Sequence, residues 1–143
     1  MPIDYTPIPE GAFGFEPVVF RGDYDFAVDG GVVGSIALIG STDELIPPSA
    51  TILGGWLEIV TPLASGGLAT ASIQVEGAGD IVVDAAFSGA PWSSAGRKSI
   101  VPDFAGANTV RTTVARDISL VITTAPLTAG KFSVVLIAAP PLR

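Results

Sequence analysis

The chain contains no cysteine and no histidine. The first absence excludes disulfides and thiolate chemistry. Together they remove the usual transition-metal ligands, the Ser-His-Asp triad and the Cys-His pair. Charge is also scarce: 15% of residues are charged, against about 25% in a typical soluble domain. Long apolar runs are missing as well. Val134 to Ala139 is the most apolar run and ends at Pro140-Pro141, far short of the ~18 residues that a spanning helix needs. The opening MPIDYTPIPEG has neither a basic region nor an apolar stretch of signal-peptide type, so none is expected.

Apolar residues, in contrast, make up 48% of the chain, and mean hydropathy is +0.57. With no spanning segment to account for the excess, burial between subunits is the remaining explanation, since obligate interfaces are more apolar than free surface. At 143 residues the chain suits one domain, which can hide about two-thirds of its surface without disulfide or metal.

The net charge of −7 is uneven. Residues 1–96 hold Arg21 against twelve acids; residues 97–143 hold Arg97, Lys98, Arg111, Arg116, Lys131 and Arg143 against Asp103 and Asp117. The basic part is unclustered and has only Phe104 and Phe132 as aromatics, so nucleic-acid binding is not expected. The imbalance reads as a solvated surface or, more sharply, as a polar lock between copies or with a partner that involves Arg111 and Arg116.

Residues 1–17 read as an extended arm. Pro2, Pro7, Pro9 and Pro17 oppose helix and interior strand, while Ile3, Tyr5, Ile8, Phe13 and Phe15 are too apolar for a solvated tail. The arm either lies on a partner surface or is an edge strand of its own domain. Residues 18–143 read as β throughout. Val18–Arg21 and Tyr24–Val28 flank Gly22-Asp23, and strands are expected at Val32–Ile39, Thr51–Thr61, Leu68–Val75, Asn108–Ala115, Ile118–Thr123 and Phe132–Ala138. Gly54-Gly55 marks a bulge or close approach, and Ala125–Gly130 a connection. Asp80 to Phe87 is the one plausible helix, with Asp80 as its N-cap; a further strand competes with it. About eight strands with closely spaced turns predict a single-domain, all-β, jelly-roll-like sandwich with at most one short helix.

Little in the chain points to catalysis or cofactors. Gly96-Arg97-Lys98-Ser99 lacks the spacing of a phosphate-binding loop. Asp23, Asp25 and Asp29-Gly30 form only part of a calcium loop, because the residue six after Gly30 is Ile36, not glutamate; a charged turn is the plainer reading. The acids Asp80 and Asp84, or Glu58 and Glu76, show no diagnostic spacing. Trp56, inside an apolar strand, is expected in the core. Trp92, after Pro91 in a Gly/Ser-rich loop, is a cap over the core or an interface anchor, with sugar stacking the minor alternative for both. No enzyme activity, cofactor or metal is expected.

The stretch ASIQVEGAGDIVVDAAFSGAPWSSAGRKSIVP, residues 71–102, together with RDISLVITTAPLTAGKFSVVLI, residues 116–137, resembles small tailed-bacteriophage virion proteins. A glycine-flanked Asp-Ile leads into an apolar segment, then an S-G-x-P-W-S loop, G-x-K and I-x-P, and finally two strands around Leu127-Thr128-Ala129-Gly130. The resemblance implies a head decoration, or cement, protein: a β-sandwich, often trimeric, that docks on the outside of a capsid shell. Its partners would be its own copies and the major capsid protein, and it would be located in the virion. A carbohydrate- or receptor-binding sandwich of a phage tail or fibre is the alternative. The resemblance carries no functional residues across.

Overall fold

The computed structural model describes residues 17–38 and 45–139. Its elements are β1 (Val18–Asp25), α1 (Phe26–Asp29), β2 (Gly34–Ala37), β3 (Thr51–Ser65), β4 (Thr70–Gln74), β5 (Val82–Ala86), β6 (Gly96–Lys98), β7 (Val110–Arg111), β8 (Ser119–Thr123) and β9 (Leu127–Ala139). They build two antiparallel sheets. One runs β1-β9-β3-β6, with β7 also on β3; the other runs β2-β8-β4-β5. The expected all-β sandwich is therefore present.

Alternation along the strands makes the core. Tyr24, Leu57, Phe132, Val134 and Leu136 point inward from the first sheet, and Ala71, Ile73, Leu120 and Ile122 meet them from the second, all nearly inaccessible. Burying each large aliphatic or aromatic side chain contributes about 1.5–3 kcal/mol. The centre is aromatic: Phe132 lies 5.2 Å from Tyr24 and 5.3 Å from Trp92, ring centroid to centroid, both tilted. The Tyr24 hydroxyl donates to the Gly30 carbonyl at 2.6 Å. Burial, and then Asp29 and Asp25 nearby, push its pKa up to about 12.

Several local expectations are corrected. Gly22-Asp23 does not separate two strands; β1 runs straight through it. Gly22 is instead a notch in the sandwich, where a Cβ would sit 2.9 Å from the Leu38 Cβ. The strand expected over Tyr24–Val28 ends at Asp25, and Phe26–Asp29 turn the chain as α1. The Asp25 side chain accepts from the Ala27 amide at 3.0 Å, and Asp29 accepts from the Asp25 amide at 3.0 Å, a reciprocal cap. Residues 80–87 are not a helix. Asp80 does cap backbone amides, but those of Val75, Glu76 and Gly77, at 2.7–2.9 Å; this closes a turn from which β5 leaves as a strand. Nor is Leu127-Thr128-Ala129-Gly130 a turn: it opens β9, because β3 extends through Pro62 to Ser65 and pairs with it across successive register shifts. A proline is tolerated there because the ladder is already interrupted.

Candidate interaction surface

The candidate interface residues are placed very differently from one another. Ile3, Tyr5, Ile8, Phe13 and Phe15 lie outside the described residues. Trp92 takes the core role: it is 0% exposed, and its indole Nε1 donates to the Ala71 carbonyl at 3.1 Å, so it offers no surface to a partner. Arg116 forms a two-pronged pair with Glu76, Nε to Oε1 at 3.1 Å and Nη2 to Oε2 at 3.0 Å. Thr113 adds its amide and hydroxyl to the same carboxylate, each at 2.8 Å. The Arg116 guanidinium, then the Thr113 donors, hold the Glu76 carboxyl down at about 2. Arg111 is exposed on β7, beside Thr51 at the start of β3.

Part of the charge imbalance along the sequence is paired off within the chain. Strand pairing sets late cations against early acids: Lys131 lies 3.9 Å from Asp25, Arg97 3.5 Å from Glu58 and Arg116 3.0 Å from Glu76, while Arg21 lies 2.9 Å from Asp23. The acids of the suspected calcium loop diverge. Asp23 accepts from Arg21 and Ser133, whereas Asp25 and Asp29 cap α1. No cluster of metal-ligating side chains occurs among the described residues, and no described helix is long and apolar enough to cross a membrane.

A surface that sequence reading missed lies on the outer face of the first sheet. Trp56 is there rather than in the core. It pairs with Val135, while its neighbour Leu57 pairs with Val134 and is fully buried. The bulge between Ile52 and Gly54 shifts the inward–outward phase, so an unbroken alternation cannot be read across Gly54-Gly55. At Gly55 the backbone has φ +150°, and a Cβ would approach the Val135 carbonyl oxygen to 1.9 Å; only glycine fits. The Arg97 guanidinium lies 5.0 Å from the Trp56 ring centroid, a cation–π contact.

Next to Trp56, Phe104 covers Gly54. A Cβ at 54 would lie 2.2 Å from its ring, yet Phe104 is 63% exposed. Its backbone is held in the left-handed region, φ 67°, which is uncommon for a bulky residue. The amide of Phe104 donates to Leu53 at 2.7 Å. Asp103 accepts from the Ala105 amide at 3.1 Å and the Asn108 side chain at 3.0 Å. The Asn108 bond, then the Ala105 amide, lower the pKa of Asp103. Val19, 55% exposed, and Ile137 occupy the same level of the sheet as Gly54. The outer face thus carries Val19, Ile137, Phe104, Val135 and Trp56, with Arg21–Asp23 and Arg97–Glu58 pairs beside them. The described chain enters this sheet at Val18, next to Val19. A rigid aromatic centre with arginine and a polar border is the composition of protein contact sites.

No family model matches the chain, and no curated protein matches it in sequence. Solved structures do. A chain in the structure titled "Cyanophage Pam1 capsid asymmetric unit" superposes with a TM-score of 0.59 at 16% identity, over 96% of this chain and 94% of that one. The fold is one found in phage capsids. A second match, in "Acidic stable capsid structure of Helicobacter pylori bacteriophage KHP30", has a TM-score of 0.57 at 12% identity, over 87% and 88% of the two chains.

Proposed function

We propose that the chain is a structural virion protein of a tailed phage: a capsid decoration, or cement, protein that associates with its own copies and docks on the outside of the head shell. The observation that carries this reading is the end-to-end likeness to a chain of a phage capsid, 96% of one on 94% of the other. The strand order supports it. Apart from the two-residue β7, successive strands change sheet except at the β4–β5 hairpin, the order of a jelly roll, an architecture that recurs in viral capsid domains.

The surface fits the role. Phe104, 63% exposed, and Val19, 55% exposed, share the outer sheet face, and contiguous apolar surface is what marks an interaction site. On this reading the outer face around Phe104 and Trp56, with the arm leaving beside it, grips the shell. Self-association in threes is part of the proposal; it rests on the family resemblance and on the chain's apolar excess rather than on the charge imbalance, since three of the late cations already pair with early acids within one chain.

The test is to add the purified protein to shells of the phage head that lack it and follow their thermal disruption by light scattering. Bound copies raise the disruption temperature by mass action on the intact state. Shells whose melting is unmoved at saturating protein would contradict the role.

A further inference from the structure

We infer that residues 10–16 of one copy bind in a groove of a neighbouring copy, with Phe13 and Phe15 seated beside the open edge of β5. This rests on the self-association part of the proposed function. The groove, about 410 Å³, is lined by Val82, Val83, Ala85, Ala90, Pro91 and Ile100. β5 is the last strand of its sheet, and Val83 is 63% exposed. An uncovered apolar edge strand invites another strand to pair with it.

The occupant is argued from pattern and from reach. Between Pro9 and Pro17, Glu10–Glu16 is the longest proline-free stretch of the arm, so every amide in it can donate. Phe13 and Phe15 are two apart and fall on one face of a strand, while the other face carries small Ala12 and Gly14 between Glu10 and Glu16, which lie toward the rim. Two bulky rings suit a groove whose walls are alanine, valine and proline. Lys98, next to the groove residue Ser99, bonds Ser94 at 2.7 Å and has no acid partner among the described residues; Glu10 or Glu16 would supply one. Asp84 also lines the groove and restricts where a glutamate can lie.

The donor must be another copy. Phe15 is three residues before Val18, so its Cα lies within about 11 Å of that residue. Val18 stands on β1, one edge of the first sheet, level with Ala138 and Ile52. Lys98 stands on β6, the other edge, level with Leu57. Three strand spacings and the offset along β3 put Lys98 about 20 Å from Val18. The groove lies beyond it, toward the second sheet, where the Val101 amide reaches the Ile81 carbonyl at 2.8 Å. Phe15 cannot reach the groove of its own chain.

Because the chain has no cysteine, the contact can be trapped cleanly. The full-length double variant Phe15→Cys/Val83→Cys is mildly oxidised in solution and run on a non-reducing gel. The inference predicts a ladder of dimer and trimer that dithiothreitol abolishes and that Phe15→Cys/Val28→Cys does not give. Monomer only, whether unlinked or migrating faster through an internal disulfide, would overturn it. As a second readout, Phe13→Ser/Phe15→Ser should keep its β circular dichroism but sediment as smaller species than the parent. If the folded variant sediments unchanged, the inference fails. Failure on both counts leaves shell stabilisation by the parent protein to decide the proposed function separately.

Discussion

Two side chains show how single residues hold this fold. Trp92 fills the centre, touching Phe132 and bonding the Ala71 carbonyl. Trp92→Ala should lose about 3–5 kcal/mol in chemical denaturation, and Trp92→Phe less, since it leaves mainly the Ala71 carbonyl without its donor, about 1–3 kcal/mol. A loss below about 1 kcal/mol for the alanine variant would mean that the loop, not the indole, closes the core. Glu76 acts at the surface. Its folded pKa of about 2 lies below its ordinary value of 4.5, so its contribution is complete above the ordinary value and is lost as pH falls through the folded one. Stability should therefore drop between pH ~4.5 and ~2, less steeply at high salt. Glu76→Gln should be less stable at neutral pH and lose this part of the acid dependence. An unchanged acid limb in a melting series would show that the Arg116 pair does not contribute. Because Arg116 is committed to Glu76, its charge reversal would disturb the fold as well as any contact between copies; Arg111, exposed on β7, is the cleaner position to reverse.

At the level of elements, the strands were legible because their apolar residues alternate or run together between turn residues, as in β4 and β8. What could not be read was where pairing overrides local signals. Gly22-Asp23 looks like a break between strands and Leu127–Gly130 like a connection, but both are strand, since a partner strand lies alongside and the glycine serves close packing. Asp80 looks like a helix cap because a carboxylate that accepts amides has the same signature before or after it in sequence. Trp56 was misplaced by one bulge, which no hydropathy pattern reveals. The exposed aromatic Phe104 gave no signal beyond its place in a basic stretch. Its left-handed backbone depends on Leu53, Asp103 and Asn108 together. The arm, read from its prolines and the bulky apolar residues between them, lies outside the described residues but for Pro17, and β1 begins just after it, at Val18. Deleting residues 1–17 should therefore leave β1 paired with β9 and a β-rich circular dichroism spectrum, while binding to shells weakens. An insoluble or unfolded truncation would make the arm part of its own core.

For the whole molecule, strand pairing brings three late cations, Arg97, Arg116 and Lys131, onto early acids, while the chain as a whole stays acidic at −7; in the proposed role the apolar excess is the motive for assembly. Its exposed valines, leucines and Phe104 are distributed over loops and one sheet face rather than gathered in a ligand cleft. This favours broad contacts with several neighbours. Closed self-association in threes would bring unlike patches together around an axis, with exchanged arms tying each copy to the next. The central claim is position on the shell exterior, and cryo-electron microscopy of phage heads assembled with this chain tests it most directly. The account predicts this two-sheet fold on the outer surface, in groups of three, with the face of Phe104 and Trp56 turned to the capsid lattice. Heads whose outer surface lacks this fold, with the chain found instead at the tail, would contradict it.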